Sequence, residues 1–181
     1  TPTPAGPMNA CDLRNSWQDQ FPDALRRVLV PSNQRLITWI DPAFVRPICD
    51  SLATAGARYV VSVGADDRPH SGHFLVLHTF AFDAHHLFVS VLCELPENEP
   101  ALDSISIGIP AANWAEREIR DLVGVTPRGH PYLRRLVLPD GWPEGVHPLR
   151  KDVPHNYVPE NWDPDATAPA GSPPPRCTLV P

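Results

Sequence analysis

At 181 residues, with 42% apolar residues and a net charge of −6, the chain has the length of one domain with arms. The acidic balance excludes a generic nucleic-acid binder. Its longest apolar runs, such as "HFLVLHTFAF", fall far short of the roughly 20 residues that span a bilayer, and no basic-then-apolar leader marks a secretory signal, so a cytoplasmic chain is expected.

Of the 24 prolines, three fall in the opening "TPTPAGP" and eight between Pro154 and Pro181, a higher density than in the middle of the chain. Both ends therefore read as extended segments outside the packed domain. The division expected is an N-terminal extension over 1–20, a core domain over 21–139 and a Pro-rich partner-binding arm over 140–181. Cys11, Cys49, Cys93 and Cys177 lie far apart with no C-x-x-C among them, which supports neither a disulfide framework nor an iron–sulfur cluster. Cys49 and Cys93 read as buried thiols.

In chain order, "FPDALRRVL" (21–29) reads as a short amphipathic helix beginning at Pro22, and "QRLITWI" (34–40) as a strand. Asp41 is placed to cap a helix that has Pro42 at its first position and stops at Gly56. Pro47 should kink or shorten it. "ARYVVSVGAD" follows as a strand.

"HFLVLHTFAFDAHHLFVSVLCEL" is two apolar runs around "DAHH", a β-hairpin. With Phe82 opposite Leu87, one face collects Phe74, Val76, His78, Phe80 and Phe82 with Leu87, Val89, Val91, Cys93 and Leu95, and that face is the expected core. The other face carries Leu75, Leu77, Thr79 and Ala81 opposite Phe88, Ser90, Leu92 and Glu94, too apolar to be fully solvated. His73 and His78 are five residues apart and point to opposite faces, while His85 and His86 sit at the turn. A His70/His73 pair reads as an ordinary polar loop, so no metal site is expected.

The charged stretch "NWAEREIRDLVGVTPRGHPYLRRLVLP" begins with a helix. Asn113 and Glu116 have the spacing of a capping box, and Gly124 is the natural stop. Ala115, Ile119, Leu122 and Val123 form an apolar stripe. Glu116–Arg120 and Arg117–Asp121 have the i,i+4 spacing of ion pairs. Trp114 falls near Arg117 and Asp121, away from that stripe. A Trp beside Arg on an outward face is the composition of an interface hot spot, and a Trp folded under its own N-terminal loop fits the spacing equally well.

As catalytic groups these residues are poorly placed. Glu116 and Glu118 point about 200° apart on a helix, arginine cannot act as a base, and His130 sits in a turn between Gly129 and Pro131. A hydrolase or lyase built on Glu118 and His130 is the competing reading. "YLRRLVLP" is expected to be extended, with Arg134 and Arg135 on opposite sides and one folding back on Glu118 or Asp121. Its guanidinium groups, with Arg150, suit paired contacts with a partner's carboxylates.

Residues 112–152, "ANWAEREIRDLVGVTPRGHPYLRRLVLPDGWPEGVHPLRKD", resemble the signature of the 30-kDa peripheral-arm subunit of respiratory complex I and its hydrogenase relatives. The pattern W-x-E-R-E, D-x-x-G, G-H-P-x-L-R-R and H-P-L-R-K-D is matched in order. It falls on Trp114, Glu116, Arg117, Glu118, Asp121, Gly124, Gly129, His130, Pro131, Leu133, Arg134 and Arg135, then on His147, Pro148, Leu149, Arg150, Lys151 and Asp152. Val123 and Pro127 depart from the complex I pattern, and "VTPRGHP" with "LPDGWPEG" looks more like the membrane-bound, energy-converting NiFe hydrogenases.

The resemblance implies an α+β fold, a small mostly antiparallel sheet with helices packed on one face, followed by the extended arm. It further implies a free-standing accessory subunit with no cofactor and no catalysis of its own, peripheral on the cytoplasmic face of the membrane. Its partners would be a NiFe-type large subunit, an iron–sulfur small subunit and, indirectly, membrane subunits, with the NiFe centre and clusters held by those partners. The alternative is the C-type subunit of NADH:quinone oxidoreductase. The tail after Arg150 is expected to run over partners and to be disordered alone.

Overall fold

The computed structural model describes residues 9–160. The expectation for the tail therefore lies outside the described residues from 161 onward.

Helix α1 (Ala10–Gln20) opens the chain with a capping box: Asn9 Oδ1 accepts from the backbone N–H of Cys11 and Asp12, and Asp12 accepts from that of Asn9. Ala10, Leu13 and Trp17, at i, i+3 and i+7, are buried. Residues 10–20 are thus a helix with one face packed on the core, which corrects their reading as an extended segment.

Residues 21–29 are not a helix either. Strand β1 (Leu25–Ser32) pairs antiparallel with β2 (Arg35–Ile40) through a tight turn. A short amphipathic stretch is marginal as an isolated helix, and here pairing with β2 satisfies its backbone while Leu25, Val28 and Val30 pack on the core. Pro31 falls in this edge strand, where the ladder is irregular between Leu29 and Ser32.

Asp41 caps a single 3₁₀ turn (Pro42–Phe44), its carboxylate accepting from Ala43 N–H at 3.0 Å, and α2 (Val45–Thr54) continues from it. Pro47 lies in the first turn of α2, where its missing N–H removes no helical hydrogen bond.

Next come β3 (Arg58–Asp66), the one-turn helix α3 (Arg68–Ser71), β4 (His73–Phe82) and β5 (Leu87–Pro96). The register of β4 with β5 places Phe82 opposite Leu87 and Phe74 opposite Leu95, the pairing taken for a turn at "DAHH". All ten expected core residues of this hairpin are buried.

The five-stranded sheet has the order β1-β2-β5-β4-β3, parallel only between β2 and β5. Helices α1, α2 and α4 (Asn113–Val123) share one buried cluster with Phe74, Val76 and Phe80. On the opposite face Val61, Val63 and Phe88 are exposed. Short strands β6 (Ala101–Asp103) and β7 (Thr126–Arg128) form a separate parallel pair flanking α4.

Cys49 and Cys93 are fully buried. Burial raises both thiols, that of Cys93 to about 12, so they remain protonated. Among the described residues, no helix is long and apolar enough to cross a membrane.

Candidate functional site

Helix α4 lies directly on β3. A Cβ on Gly64 would come within 2.7 Å of Ile119, so glycine permits the approach. Ile119 and Val123 face the core, whereas Ala115 and Leu122 are half-buried. The helix stops at Gly124, whose φ of +86° is left-handed. It does not start as expected. A 3₁₀ turn (Pro110–Ala112) precedes it, and Asn113 lies inside it with no side-chain cap bond.

The deciding feature of α4 is that Glu116, Arg117 and Asp121 are all buried, at 5%, 8% and 3% exposure. Burying a charge is costly unless it is hydrogen-bonded, and each has partners. Glu116 reaches away from the helix start, accepting from Ser104 Oγ at 2.6 Å and Ile105 N–H at 2.7 Å. It ties down the loop after β6 and forms no capping box.

Arg117 donates from Nε to the Arg134 carbonyl (2.8 Å) and from Nη2 to the Arg135 carbonyl (2.9 Å), with its guanidinium over the Tyr132 ring. Asp121 Oδ2 accepts from Leu136, Val137 and Leu138 N–H at 2.7, 2.9 and 3.3 Å. Neither expected i,i+4 ion pair forms, because these groups turn to backbone in the 104–106 loop and the 134–138 arm. The face expected to look outward with Trp114 is instead roofed by that arm. Trp114 itself is 70% exposed, so its outward reading holds.

The arm is held by the other motif residues. His130 Nδ1 accepts from Tyr132 N–H (3.0 Å), which puts the ring proton on Nε2, facing the Asn113 carbonyl at 3.2 Å. Arg135 folds its own loop, donating to the carbonyls of Pro139, Asp140 and Trp142 and pairing with Glu144 at 3.0 Å. Arg134 donates to the Tyr132 hydroxyl and is exposed. Neither arginine reaches Glu118 or Asp121, contrary to expectation.

Further along, His147 Nδ1 donates to the Asp121 carbonyl (2.9 Å), Leu149 N–H to the Leu122 carbonyl and Arg150 Nε to the Val123 carbonyl (2.8 Å). A side chain at position 124 would collide with Arg150 and His147, so Gly124 both ends the helix and admits the arm.

Residues 151 and 152 are anchored on the β3–α3 corner, where Asp66 Oδ2 accepts from Lys151 N–H (2.8 Å) and Asp152 from Arg68 (2.9 Å). Arg68 also binds Asp66 and Glu97, and both Arg68 and Arg150 lie over the Phe74 ring. Paired with Arg68, the buried Asp66 carboxyl is held far below the usual carboxylate range. Nothing in the spacing of the sequence marked Asp66, Arg68, Ser104 or Tyr132, since each meets its partner only through the fold.

Outward lie Glu118, Trp114, Tyr132, Arg134, Leu136, Val137 and Leu149, and also Lys151 and Asp152; Leu133 and Pro148 are half-buried. Glu118 and His130, the competing catalytic pair, are not brought together. It is Glu116 Oε2 that lies 3.8 Å from His130 Nε2, with the His130 side chain closed from solvent. Among the described residues, no three His, Cys, Asp or Glu side chains are grouped to hold a metal ion.

Residues 38–158, which contain this clasped arm, match the family described as "Respiratory-chain NADH dehydrogenase, 30 Kd subunit". The chain belongs to this family.

It is 42% identical over 93 residues to formate hydrogenlyase subunit 5 of Escherichia coli (strain K12), over 51% of this chain and 16% of that protein. It is 46% identical over 89 residues to the C/D subunit of NADH-quinone oxidoreductase of Methylococcus capsulatus, over 49% of this chain and 15% of that protein. The chain thus spans only a small part of the length of these relatives. With the C-type subunit of F(420)H(2) dehydrogenase of Methanosarcina mazei the match is 30% over 146 residues, 80% of this chain and 92% of that one.

The fold is shared with a chain of the archaeal membrane-bound sulfane sulfur reductase, a respiratory membrane complex. The TM-score is 0.69 at 17% identity, over 86% of this chain and 95% of that one. It is shared also with a trypsin-resistant fragment of Nqo5, with a TM-score of 0.56 at 20% identity over 67% and 98%.

Proposed function

We propose that this chain is an accessory subunit, without a cofactor of its own, of a membrane-bound energy-converting NiFe hydrogenase complex. It docks the catalytic large subunit and lies close to the iron–sulfur small subunit on the cytoplasmic face of the membrane. The NiFe centre and the clusters belong to those partners.

The observation that carries the reading is the clasped arm. The buried Arg117 and Asp121 side chains hold residues 134–138, the last carbonyls of α4 hold 147–150 and the Asp66–Arg68 corner holds 151–152, so that Trp114, Tyr132, Arg134, Val137 and Leu149 are presented outward from a rigid support. Rigid aromatic and arginine anchors are what an interface core uses. Arg117, Asp121 and Arg150 would then act on assembly by shaping this surface, and Trp114 and Arg134 by touching the partner.

The hydrogenase branch is supported by identities of 42% and 43% to proteins named formate hydrogenlyase subunit 5 and hydrogenase-4 component G. The second reading, a C-type subunit of an NADH:quinone oxidoreductase, is supported by the 46% identity to a C/D subunit of such an enzyme.

Purifying the tagged chain from its native membrane, with mass spectrometry of what comes with it, tests both. A large subunit with paired C-x-x-C motifs and hydrogen-dependent dye reduction is the expected result. NADH- and FMN-binding subunits would replace it with the second reading, and recovery of no redox subunit would overturn both.

A further inference from the structure

The face of the five-stranded sheet turned away from the helices is not the polar surface that an antiparallel sheet presents to water. Across the central strands it carries Leu75 and Leu77 of β4 with Phe88 and Leu92 of β5, Leu77 directly opposite Leu92. Val63 of β3 lies opposite Leu77 and Trp39 of β2 opposite Leu92, so one apolar row crosses four strands. Val63 and Phe88 are 47% and 49% exposed. Strands β4 and β5 are thus largely apolar on both faces, the composition of strands that are covered on both. A contiguous exposed apolar patch of this kind marks an interaction site.

Two arginines border the patch on one side. Arg27 lies opposite Trp39, its guanidinium 4.5 Å from the indole centroid, and Arg35 lies opposite Phe88. Both are exposed, and neither has a carboxylate partner among the described residues, whereas Arg26 pairs with Asp41 and Arg58 with Asp83. Beside Arg27 and Trp39 a groove of about 380 Å³ opens toward His73 and Glu94. Glu94 is the one carboxylate in these rows, so a second copy of the chain laid face to face would set four arginines against two glutamates. The uncompensated positive charge fits an acidic partner instead.

We propose that this open face docks an amphipathic helix of another subunit, its apolar stripe along β4 and β5 and an acidic flank toward β2. From Arg35 to the row of Trp39 and Arg27 the strand rises about 13 Å at about 3.3 Å per residue. On a helix that rise takes about eight or nine residues at 1.5 Å each, close to the spacing of two turns that keeps two carboxylates on one side. The docked helix makes the sheet the middle of three layers. Helix α4 and the arm lie on the other side of the sheet, so both surfaces are open to partners at once. The proposal rests on the reading of the chain as a subunit of a larger complex.

Site-specific photo-crosslinking in the tagged full-length chain tests it. p-Benzoylphenylalanine is placed at Val63, Leu77 or Trp114, all outside the core, and the peptides joined to each position in native membranes are sequenced. Positions 63 and 77 should join one partner segment with apolar residues at helical spacing and Asp or Glu on one flank. The Arg27→Glu, Arg35→Glu double variant should lower that yield about tenfold or more, with the yield at 114 unchanged as the sign of an intact fold. Crosslinks from 114 alone would overturn the docking face and leave the subunit reading standing, and crosslinks from none would overturn both. Capture of a second copy of this chain, of lipid or of a segment without the acidic flank would also overturn it, as would a yield indifferent to the arginine substitutions.

Discussion

Replacing Asp121 with alanine should free the arm without unfolding the domain. One carboxylate oxygen accepts three backbone N–H groups at 2.7, 2.9 and 3.3 Å, from residues 15 to 17 positions away in sequence. A hydrogen bond to a charged group contributes about 1.5–3 kcal/mol. The longest of the three adds little, and Leu136 and Val137 are exposed enough for their amides to regain water once released. Two bonds at the lower half of that range sum to about 3–4 kcal/mol.

At about 1.4 kcal/mol per factor of ten, that is roughly a hundred- to a thousandfold rise in the opening of residues 134–138. Asp121→Asn keeps a neutral acceptor and should lose only about 1–2 kcal/mol. Native-state hydrogen exchange reads this directly: the amides of 136–138 should speed up by the stated factor, while those of β4 and β5 report only the smaller change in global stability. Tryptic cleavage after Arg134 or Arg135 should rise in parallel. If the amides of 136–138 respond to Asp121→Ala no more than those of β4, the carboxylate does not clasp the arm and the reasoning fails.

Three further outcomes follow from the same geometry. Gly124→Ala forces a side chain into a left-handed position and into the space of Arg150 and His147, so it should cost about 1–3 kcal/mol in chemical denaturation and loosen residues 147–150 in hydrogen exchange. Burial lowers the His78 pKa from 6.5 to about 4, so below pH 6.5 the unfolded chain binds a proton that the folded one refuses. Stability should therefore fall as the pH drops from 6.5 to 4, by on the order of 3 kcal/mol, and His78→Leu should remove that part of the slope in urea titrations across the window. Trp114→Ala should shift stability by less than about 0.5 kcal/mol, because the side chain is 70% exposed, yet weaken recovery of partner subunits in pull-downs; unchanged recovery would remove Trp114 from the docking surface.

Residue order alone determined the hairpin, since a side-chain period of two puts Phe74, Val76, His78, Phe80 and Phe82 on one face and the turn at "DAHH" sets Phe82 opposite Leu87. It determined the helical period and the stop of α4 through its apolar positions and Gly124, though not its start, and it contained the family pattern. The Asn9–Asp12 capping box and the Ala10, Leu13, Trp17 spacing were equally legible in local terms, but a proline-rich start masked them. Strand β1 was less so, because "FPDALRRVL" carries apolar positions that suit either period and only its pairing with β2 chooses between them.

The tertiary structure decided what the motif's charges do. Glu116, Arg117 and Asp121 have the spacing of surface ion pairs, and on an isolated helix they would bond one another or water. Once α4 packs on β3 and the arm crosses it, water is excluded, and each must find donors or acceptors within reach. Apart from the Ser104 hydroxyl, those are backbone groups at 105 and 134–138, and every residue has a backbone, so the side chains of a sequence cannot announce them.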